Sequence, residues 1–256
     1  MKIIAVPAFD DNYLWLIKIP NINRAYIVDP GDADAVESAL KTYSLELAGI
    51  IITHHHWDHT NGIKDLIASR QIPVYGPRNS AITGINYPLD DGDAITLEQG
   101  IEFQVMSVPG HTLDHLAYYS DTEKLLFCGD TLFAGGCGRL FEGTAEQMYR
   151  SLQRLALLPR DTAVYCTHEY TIANLTFALA VEPNNIELQA RMASATALRQ
   201  QALPTLPSTI ALECDTNPFL RCTQTDIINL AKQRTQRYTL TDAEVFACLR
   251  DWKDNF

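Results

Sequence analysis

The chain has few basic residues for its size, and its cysteines are not closely paired. Its 256 residues include 20 Lys and Arg against 31 Asp and Glu, which gives a formal net charge of −11. This shortage of positive charge excludes a general affinity for nucleic acid or an anionic membrane, because both require a basic surface. The six cysteines form no Cys-x-x-Cys pair and no dense framework. We therefore expect reduced thiols in a cytoplasmic protein.

The sequence also lacks any apolar run long enough to span a bilayer. The apolar stretch at residues 1–7 is too short for a signal peptide. Hydrophobic residues make up 46% of the chain, which is ordinary for a globular protein and sufficient for a large core. We expect a soluble monomer that does not bind membranes.

Two regions of different character follow one another along the chain. Up to about residue 168, short apolar runs alternate with amphipathic stretches, a pattern typical of α/β or α+β layered domains. Residues 171–201 contain no glycine and are predicted to form helices interrupted near 182–185. We therefore predict one domain over 1–168 and a smaller helical domain over 169–256. The predicted strands cover 14–19, 25–28, 50–52, 101–108, 116–119 and 125–128.

Three helix starts are indicated by capping-box pairs, in which a side chain that can cap a helix precedes Glu or Gln by three residues. The pairs are Asp34 with Glu37, Thr144 with Gln147, and Thr241 with Glu244.

Histidine is scarce, and all seven histidines fall within or near three short clusters. The first cluster reads Thr-His-His-His-Trp-Asp-His over residues 53–59, and the others contain His111, His115 and His168. From an extended segment, His54 and His56 would point the same way, and His55 would point oppositely. A helix that begins at residues 58–59 would turn that pair towards a second ion.

The candidate ligands follow apolar runs, so buried strands can deliver them to one edge of a sheet. They are His54, His56, Asp58, His59, His111, Asp130 and His168. Seven such ligands are too many for a single tetrahedral zinc ion but suit two ions that share a carboxylate. Structural zinc sites usually recruit cysteine, and none of the six cysteines lies at a candidate ligand position.

Four motifs in a fixed order carry a family resemblance. They are His-x-His-x-Asp-His at 54–59, Pro-Gly-His-Thr at 109–112, Gly-Asp-Thr-Leu-Phe at 129–133 and Thr-His-Glu-Tyr-Thr at 167–171. With these motifs the chain resembles the metallo-β-lactamase superfamily. The glycine-rich stretch 135–144 and the tail 250–254 make it similar to the glyoxalase II (hydroxyacylglutathione hydrolase) family within it. The resemblance implies an α+β protein, an αββα sandwich followed by a smaller all-helical C-terminal domain that contributes to glutathione binding.

The resemblance also implies two divalent metal ions, with zinc preferred and iron or manganese as alternatives. Asp58 and Asp130 would be the catalytic carboxylates, Asp58 by aiming a hydroxide that bridges the ions. The implied ligands are His54, His56 and His111 for one ion and Asp58, His59 and His168 for the other, with Asp130 bridging both.

The implied reaction is hydrolysis of S-D-lactoylglutathione and related 2-hydroxyacyl thioesters to D-lactate and glutathione, the second step of methylglyoxal detoxification. A thiolate leaving group, with a conjugate-acid pKa of about 8.5, needs no strong general acid. Arg250 and Lys253 share a face of the predicted last helix and could clamp a carboxylate. An alternative for this pair is a cationic helix end favoured by the helix dipole. The residues implied in glutathione binding are Arg139, Tyr170, Arg250 and Lys253.

Several residues depart from the family pattern or lie beside it. Arg139 and Phe141 stand where some members have Lys and Tyr, and Asp114 where Gly is common. Asp114 is a partner for a ligating imidazole or an ordinary loop residue. Trp57 walls the site or packs. We expect orienting or packing roles for the remaining histidines of the clusters, His55 and His115.

Three other functions remain open at this point. A persulfide dioxygenase shares part of the ligand set but uses one iron and lacks the long helical tail. A nuclease is disfavoured by the acidic charge. A non-catalytic metal-binding scaffold would have no need of a bridging carboxylate beside an open water position.

Overall fold

The computed structural model describes residues 1–78 and 80–256, and the chain divides into two compact units. Unit 1 comprises Met1–Ser107 and Asp114–Gly129, and unit 2 comprises Val108–Leu113 and Asp130–Phe256. The domain boundary after residue 168 stays a prediction. In the described part of the chain, no helix is both long and apolar enough to cross a membrane. The six cysteines are all thiols rather than disulfides.

Unit 1 contains a six-stranded sheet in the order β1-β2-β3-β4-β5-β6. The pairs β1–β2 and β2–β3 are antiparallel, and the pairs from β3 to β6 are parallel. Six of the seven residues of β2 are buried, so this strand is a continuous apolar run rather than an alternating one. The strands are β1 (Lys2–Ala8), β2 (Asn12–Lys18), β3 (Arg24–Val28), β4 (Glu46–Ile51), β5 (Val74–Pro77) and β6 (Tyr87–Leu89).

A second run of four antiparallel strands in unit 1 has the order β10-β9-β8-β7. It is tied to the segment after β4, because the Tyr118 hydroxyl donates to the Ile52 carbonyl (2.6 Å) and the Leu116 amide donates to the Thr53 carbonyl (2.8 Å). Complete burial raises the pKa of Tyr118 well above its usual value, so this hydroxyl stays a donor. The strands are β7 (Ala94–Thr96), β8 (Glu102–Ser107), β9 (Leu116–Ser120) and β10 (Leu125–Gly129).

The helices of unit 1 are α1 (Ala33–Tyr43), α2 (Trp57–Thr60) and α3 (Ile63–Ile67). Helix α1 buries Val36 and Leu40 in a core shared with the first sheet. The capping box predicted for Asp34 and Glu37 is wrong. The helix begins two residues earlier than expected, because Asp32 has an extended backbone and its carboxylate accepts a hydrogen bond from the Ala35 amide (3.1 Å).

Unit 2 consists mainly of helices. The capping boxes predicted at Thr144 and Thr241 are confirmed, and they open α4 and α9. The helices predicted within 171–201 are also confirmed, with the break at 182–185. Residues 169–256 are helical apart from the two-residue strand β14 and the connecting loops. The elements are β11 (Leu132–Phe133), β12 (Gly136–Cys137), α4 (Ala145–Ala156), β13 (Ala163–Cys166), α5 (Thr171–Val181), α6 (Ile186–Gln200), β14 (Ser208–Thr209), α7 (Ile210–Thr216), α8 (Thr225–Thr235) and α9 (Asp242–Asp254).

Candidate metal centre

In unit 1 the polar cluster follows directly after β4. The chain leaves the sheet at Ile51 and enters α2 at Trp57, and the segment between them carries the first two candidate ligands. His54 is fully buried, and its Nε2 lies 3.1 Å from Nδ1 of His56. The two rings therefore converge, as the extended segment predicts. His55 points elsewhere, with Nδ1 3.0 Å from Asp114 Oδ1.

Asp29, which directly follows β3, orients the rings of His54 and His59. Its buried carboxylate accepts hydrogen bonds from the Thr53 amide (2.7 Å) and the Thr53 hydroxyl (2.7 Å), and it lies 2.9 Å from His59 Nδ1. The Thr53 hydroxyl gives its only proton to Asp29, so it can only accept from His54 Nδ1, 3.0 Å away. Both imidazoles therefore carry their proton on Nδ1 and keep the Nε2 lone pair for a metal ion.

The second candidate pair of unit 1 lies in the first turn of α2. Asp58 Oδ2 is 3.4 Å from His59 Nε2. The backbone of Asp58 is approached so closely by the loop after β3 that a Cβ on Gly31 would lie 1.8 Å from the Asp58 carbonyl oxygen. Only glycine fits there, which fixes the start of α2 against the loop that begins at Asp29.

Unit 2 contributes three further candidate ligands, His111, Asp130 and His168, all of which are buried. One carboxylate oxygen, Asp130 Oδ2, lies 3.5 Å from His111 Nε2 and 3.3 Å from His168 Nε2. His111 Nδ1 lies 2.8 Å from the Arg139 carbonyl oxygen and donates to it, which again leaves Nε2 for a metal. A Cβ at Gly138 would lie 2.0 Å from the Asp130 carbonyl oxygen, so this close approach also requires glycine.

The spacing of these donors fits metal ligation. Two nitrogen or oxygen ligands of a tetrahedral zinc ion are about 3.3 Å apart, given bonds of about 2.0–2.1 Å. The four pairs within the two units are separated by 3.1 to 3.5 Å. Each unit thus carries His and Asp side chains that belong to groups able to hold a divalent ion. The donor types, their separations and the imidazole tautomers all fit metal ligation.

Other residues near the histidine clusters have packing or orienting contacts. His115 is buried and stacks on His54, with ring centroids 4.5 Å apart. Trp57 is 63% exposed and packs edge-on against Phe9 at 5.1 Å. His55 contacts Asp114 instead of another candidate ligand, so it lies outside the ligand pairs.

The residues predicted to bind glutathione all lie in unit 2, and one of them is less accessible than its sequence pattern suggests. Arg250 is only 5% exposed, and its guanidinium donates to the Cys137 carbonyl (3.0 Å) and to Asp254 (2.8 Å). Its Nε has no hydrogen-bond partner within the described residues. Burial, followed by repulsion from Arg250, lowers the pKa of Lys253. Arg139 lies 3.6 Å from Asp254 and is largely exposed.

Two further contacts bear on this region. Tyr170, which is 38% exposed, stacks on the ring of His168 with centroids 4.7 Å apart. Burial raises the pKa of Cys137 to about 11 against the opposing effect of Arg250, so this thiol is neutral at physiological pH. Arg250 therefore meets two uncharged groups of Cys137, the thiol and the backbone carbonyl oxygen that accepts its hydrogen bond.

A buried polar network in unit 2 holds the backbone of residues 133–136. Glu213 is fully buried and accepts from the Gly135 amide (2.8 Å). The Asn217 side chain donates to the carbonyls of Phe133 (3.2 Å) and Gly136 (2.9 Å). Arg191 forms an ion pair with Glu213 inside this network. The network fixes the turn that follows the candidate ligand Asp130.

Sequence reasoning missed the residues that orient the ligands. Asp29 follows an apolar strand, as the recognised ligands do, so the same signal could have found it. Asn12 donates from Nδ2 to Asp58 Oδ2 (3.0 Å), and nothing in its sequence context indicates this partner 46 residues away. The contacts of Glu213 and Asn217 likewise join distant segments.

Two family models together match residues 9–256 of the chain. The metallo-β-lactamase superfamily model matches residues 9–168, and the hydroxyacylglutathione hydrolase C-terminus model matches residues 169–256. A similar relative is the hydroxyacylglutathione hydrolase of Pseudomonas aeruginosa (strain PAO1), 51% identical over 258 residues with 100% of both chains covered.

Two solved structures have a similar fold. ETHE1 from Myxococcus xanthus is 25% identical with a TM-score of 0.66, over 99% of this chain and 98% of that one. TTHA1623 in a di-iron-bound form is 25% identical with a TM-score of 0.61, over 85% and 100% respectively.

The fold and the His and Asp donors therefore define a member of the metallo-β-lactamase superfamily, with an α+β fold followed by a helical C-terminal region. Within that superfamily, the full-length likeness and the C-terminal model show that the chain belongs to the hydroxyacylglutathione hydrolase family. The resemblance inferred from the motifs is confirmed.

Proposed function

We propose that the chain is a thioester hydrolase that converts S-D-lactoylglutathione and related S-(2-hydroxyacyl)glutathione thioesters to glutathione and D-lactate or its analogues. This is the second step of methylglyoxal detoxification. One observation carries the proposal: in a chain similar to a hydroxyacylglutathione hydrolase over its whole length, one oxygen of Asp130 lies at ligand spacing from both His111 and His168. A carboxylate in that position can serve two ions.

The ligand assignment is part of the proposal. His54, with its neighbour His56, would share one ion with His111, and the pair in α2 would share the other with His168, while Asp130 bridges them. Each assignment is supported by a donor pair at ligand spacing within its own unit. Ions bound there would supply Lewis acidity, by polarising the thioester carbonyl and lowering the pKa of water to about 7.

The side chains have separate tasks in this scheme. Asp58 would accept a hydrogen bond from the attacking water and aim it at the carbonyl carbon, in addition to its ligand role. Asp29 holds His59 in the tautomer that ligation needs. The leaving thiolate requires no strong acid, since its conjugate-acid pKa is about 8.5. A site made of metal ligands and the residues that orient them is therefore sufficient for this reaction.

Glutathione recognition is assigned to Arg139, Tyr170, Arg250 and Lys253. Arg250 is buried against Cys137 and Asp254, so its contribution includes holding the end of α9 in shape. Arg139 is the most exposed of the cations, with 64% of its side chain accessible, and is the one best placed to meet a free carboxylate in solvent. The acidic chain thus offers a small basic area to an anionic tripeptide.

The metal identity, assembly and location also belong to the proposal. Imidazole and carboxylate donors accept zinc, iron or manganese, and we prefer zinc. TTHA1623, a structure of similar fold, was solved with two irons, so iron is a specific alternative. We expect a cytoplasmic monomer with no nucleic-acid or membrane partner.

Metal analysis combined with an activity assay tests the function. The purified protein should contain two ions per chain and hydrolyse S-D-lactoylglutathione, lose activity after chelation, and regain it when zinc is restored. Full activity with one ion or none would refute the dinuclear scheme. Oxygen uptake with glutathione persulfide, without thioester cleavage, would instead identify a persulfide dioxygenase with a single iron.

A further inference from the structure

Asn12 is a buried polar residue outside the ligand set. It is 5% exposed and lies at the first position of β2, directly after the turn from β1. Its backbone pairs with Ala8 across the hairpin, so the sheet fixes the place from which its side chain projects. From there its amide nitrogen donates a 3.0 Å hydrogen bond to Oδ2 of Asp58.

The oxygen that accepts this hydrogen bond is the one at ligand spacing. Asp58 Oδ2 lies 3.4 Å from His59 Nε2, and it is also the acceptor for Asn12. The side-chain torsion that turns an aspartate carboxylate is broad and roughly two-fold, so the residue alone does not select which oxygen faces a given direction. A charge-assisted hydrogen bond from a fixed donor does make that selection.

We propose that Asn12 is a positioning residue for Asp58. By holding Oδ2 beside His59 Nε2, it sets the carboxylate plane in which one oxygen ligates and the other is directed for the alignment of water. This inference rests on the proposed ligand role of Asp58. It adds the side chain that fixes which of the two oxygens plays each part.

The proposal predicts an effect on one ion only. Loss of a partner that orients a ligand typically weakens metal binding about 10- to 100-fold. Asn12 contacts Asp58, a ligand of only one proposed ion, so the ion shared with His59 should be weakened and the ion shared with His54 and His56 should not. A purely structural asparagine would change the stability of the metal-free protein and would affect both ions alike.

The test uses Asn12→Leu, whose side chain branches at the same atom but has no donor and cannot ligate metal. Asn12→Ala is the second variant, because it also lacks a donor and its smaller side chain fits if leucine prevents folding. Asn86→Leu is the control, since Asn86 also lies in unit 1 and, within the described residues, its side chain bonds backbone groups, the Val74 amide (2.8 Å) and the Ile72 carbonyl (3.2 Å).

Each metal-free variant is titrated with Co²⁺ in the presence of a competing chelator, and the visible spectrum and stoichiometry report the two ions separately. We expect Asn12→Leu or Asn12→Ala to bind the first ion normally and the second about 10- to 100-fold more weakly. Asn86→Leu should bind both as the unmodified protein does. The proposal would be overturned if the Asn12 variants bound both ions as tightly as the unmodified protein does, or if both ions were weakened by the same factor.

The titration separates this inference from the proposed function. Hydrolysis of S-D-lactoylglutathione by the unmodified protein is measured on the same preparation. Absence of hydrolysis, with selective loss of one ion in the Asn12 variants, would refute the substrate while leaving the positioning role intact. Hydrolysis without selective ion loss would do the reverse.

Discussion

Replacement of Asp29 by asparagine should damage both the stability and the metal affinity of the protein. The carboxylate receives two hydrogen bonds from Thr53 and one from His59. The asparagine amide has the same shape but only one oxygen. Its NH2 group must therefore face at least one of the groups that donate to Asp29. If the amide nitrogen faces His59, the ring must accept on Nδ1 and carry its proton on Nε2, which removes the lone pair that a metal requires.

The magnitude follows from the hydrogen bonds that the substitution weakens or breaks. A hydrogen bond to a charged group contributes about 1.5–3 kcal/mol, and Asp29→Asn removes the charge from three of them while breaking at least one. We expect the free energy of unfolding of the metal-free protein to fall by about 2–3 kcal/mol. For a chain of this length that corresponds to a decrease in Tm of roughly 4–12 °C. Metal affinity should fall about 10- to 100-fold.

The assay measures denaturant unfolding of the metal-free protein and, separately, metal binding by the folded variant. Asp32→Asn is the matched control, because it removes the same charge three residues away and asparagine caps α1 as well as aspartate does. The control should unfold and bind metal as the unmodified protein does. If Asp29→Asn behaves like Asp32→Asn in both measurements, the orienting role of Asp29 is refuted.

Three further changes have expected outcomes. Asp58→Ala should lower kcat by about 10²- to 10⁴-fold and leave KM nearly unchanged in steady-state assays, and unchanged turnover would remove Asp58 from the mechanism. Arg250→Ala should raise KM for glutathione thioesters far more than for a small neutral thioester; equal effects on both substrates would contradict the clamp. Arg191→Ala should reduce the free energy of unfolding by about 3–5 kcal/mol, because it leaves Glu213 charged and buried without its ion pair. Removal of both charges, in Arg191→Met with Glu213→Gln, should cost less than the single change, and a denaturation experiment that found additive losses would contradict this account.

Much of the candidate site was predictable because most of the candidate ligands come after a strand. The run at 125–128 lies within β10, and the run at 50–52 overlaps the end of β4, which stops at Ile51. The helix considered for residues 58–59 is present as α2. Local pattern sufficed in these cases because strand, turn and ligand are contiguous in sequence.

Other features depend on contacts that a local pattern does not contain. Strands β11, β12 and β14 have two residues each, which is too short for any periodicity to be read. The spacing of Arg250 and Lys253 predicts a shared helix face, but it does not indicate what packs there. Arg250 is buried because Cys137, 113 residues earlier, supplies a carbonyl acceptor. The partner of Asn12 likewise depends on the register of a hairpin rather than on neighbouring residues.

The buried network around Glu213 has a consequence for anyone who recombines members of this family. A chimera joined between residues 168 and 169 would take the turn at 133–136 from one parent and the side chains that grip its backbone from the other. A different residue at 213 or 217 would then change the position of the turn, and with it that of Asp130, although both lie far from the crossover in sequence. A safer exchange moves residues 108–113 together with 130–256, because that set forms one compact unit and keeps the network with the turn.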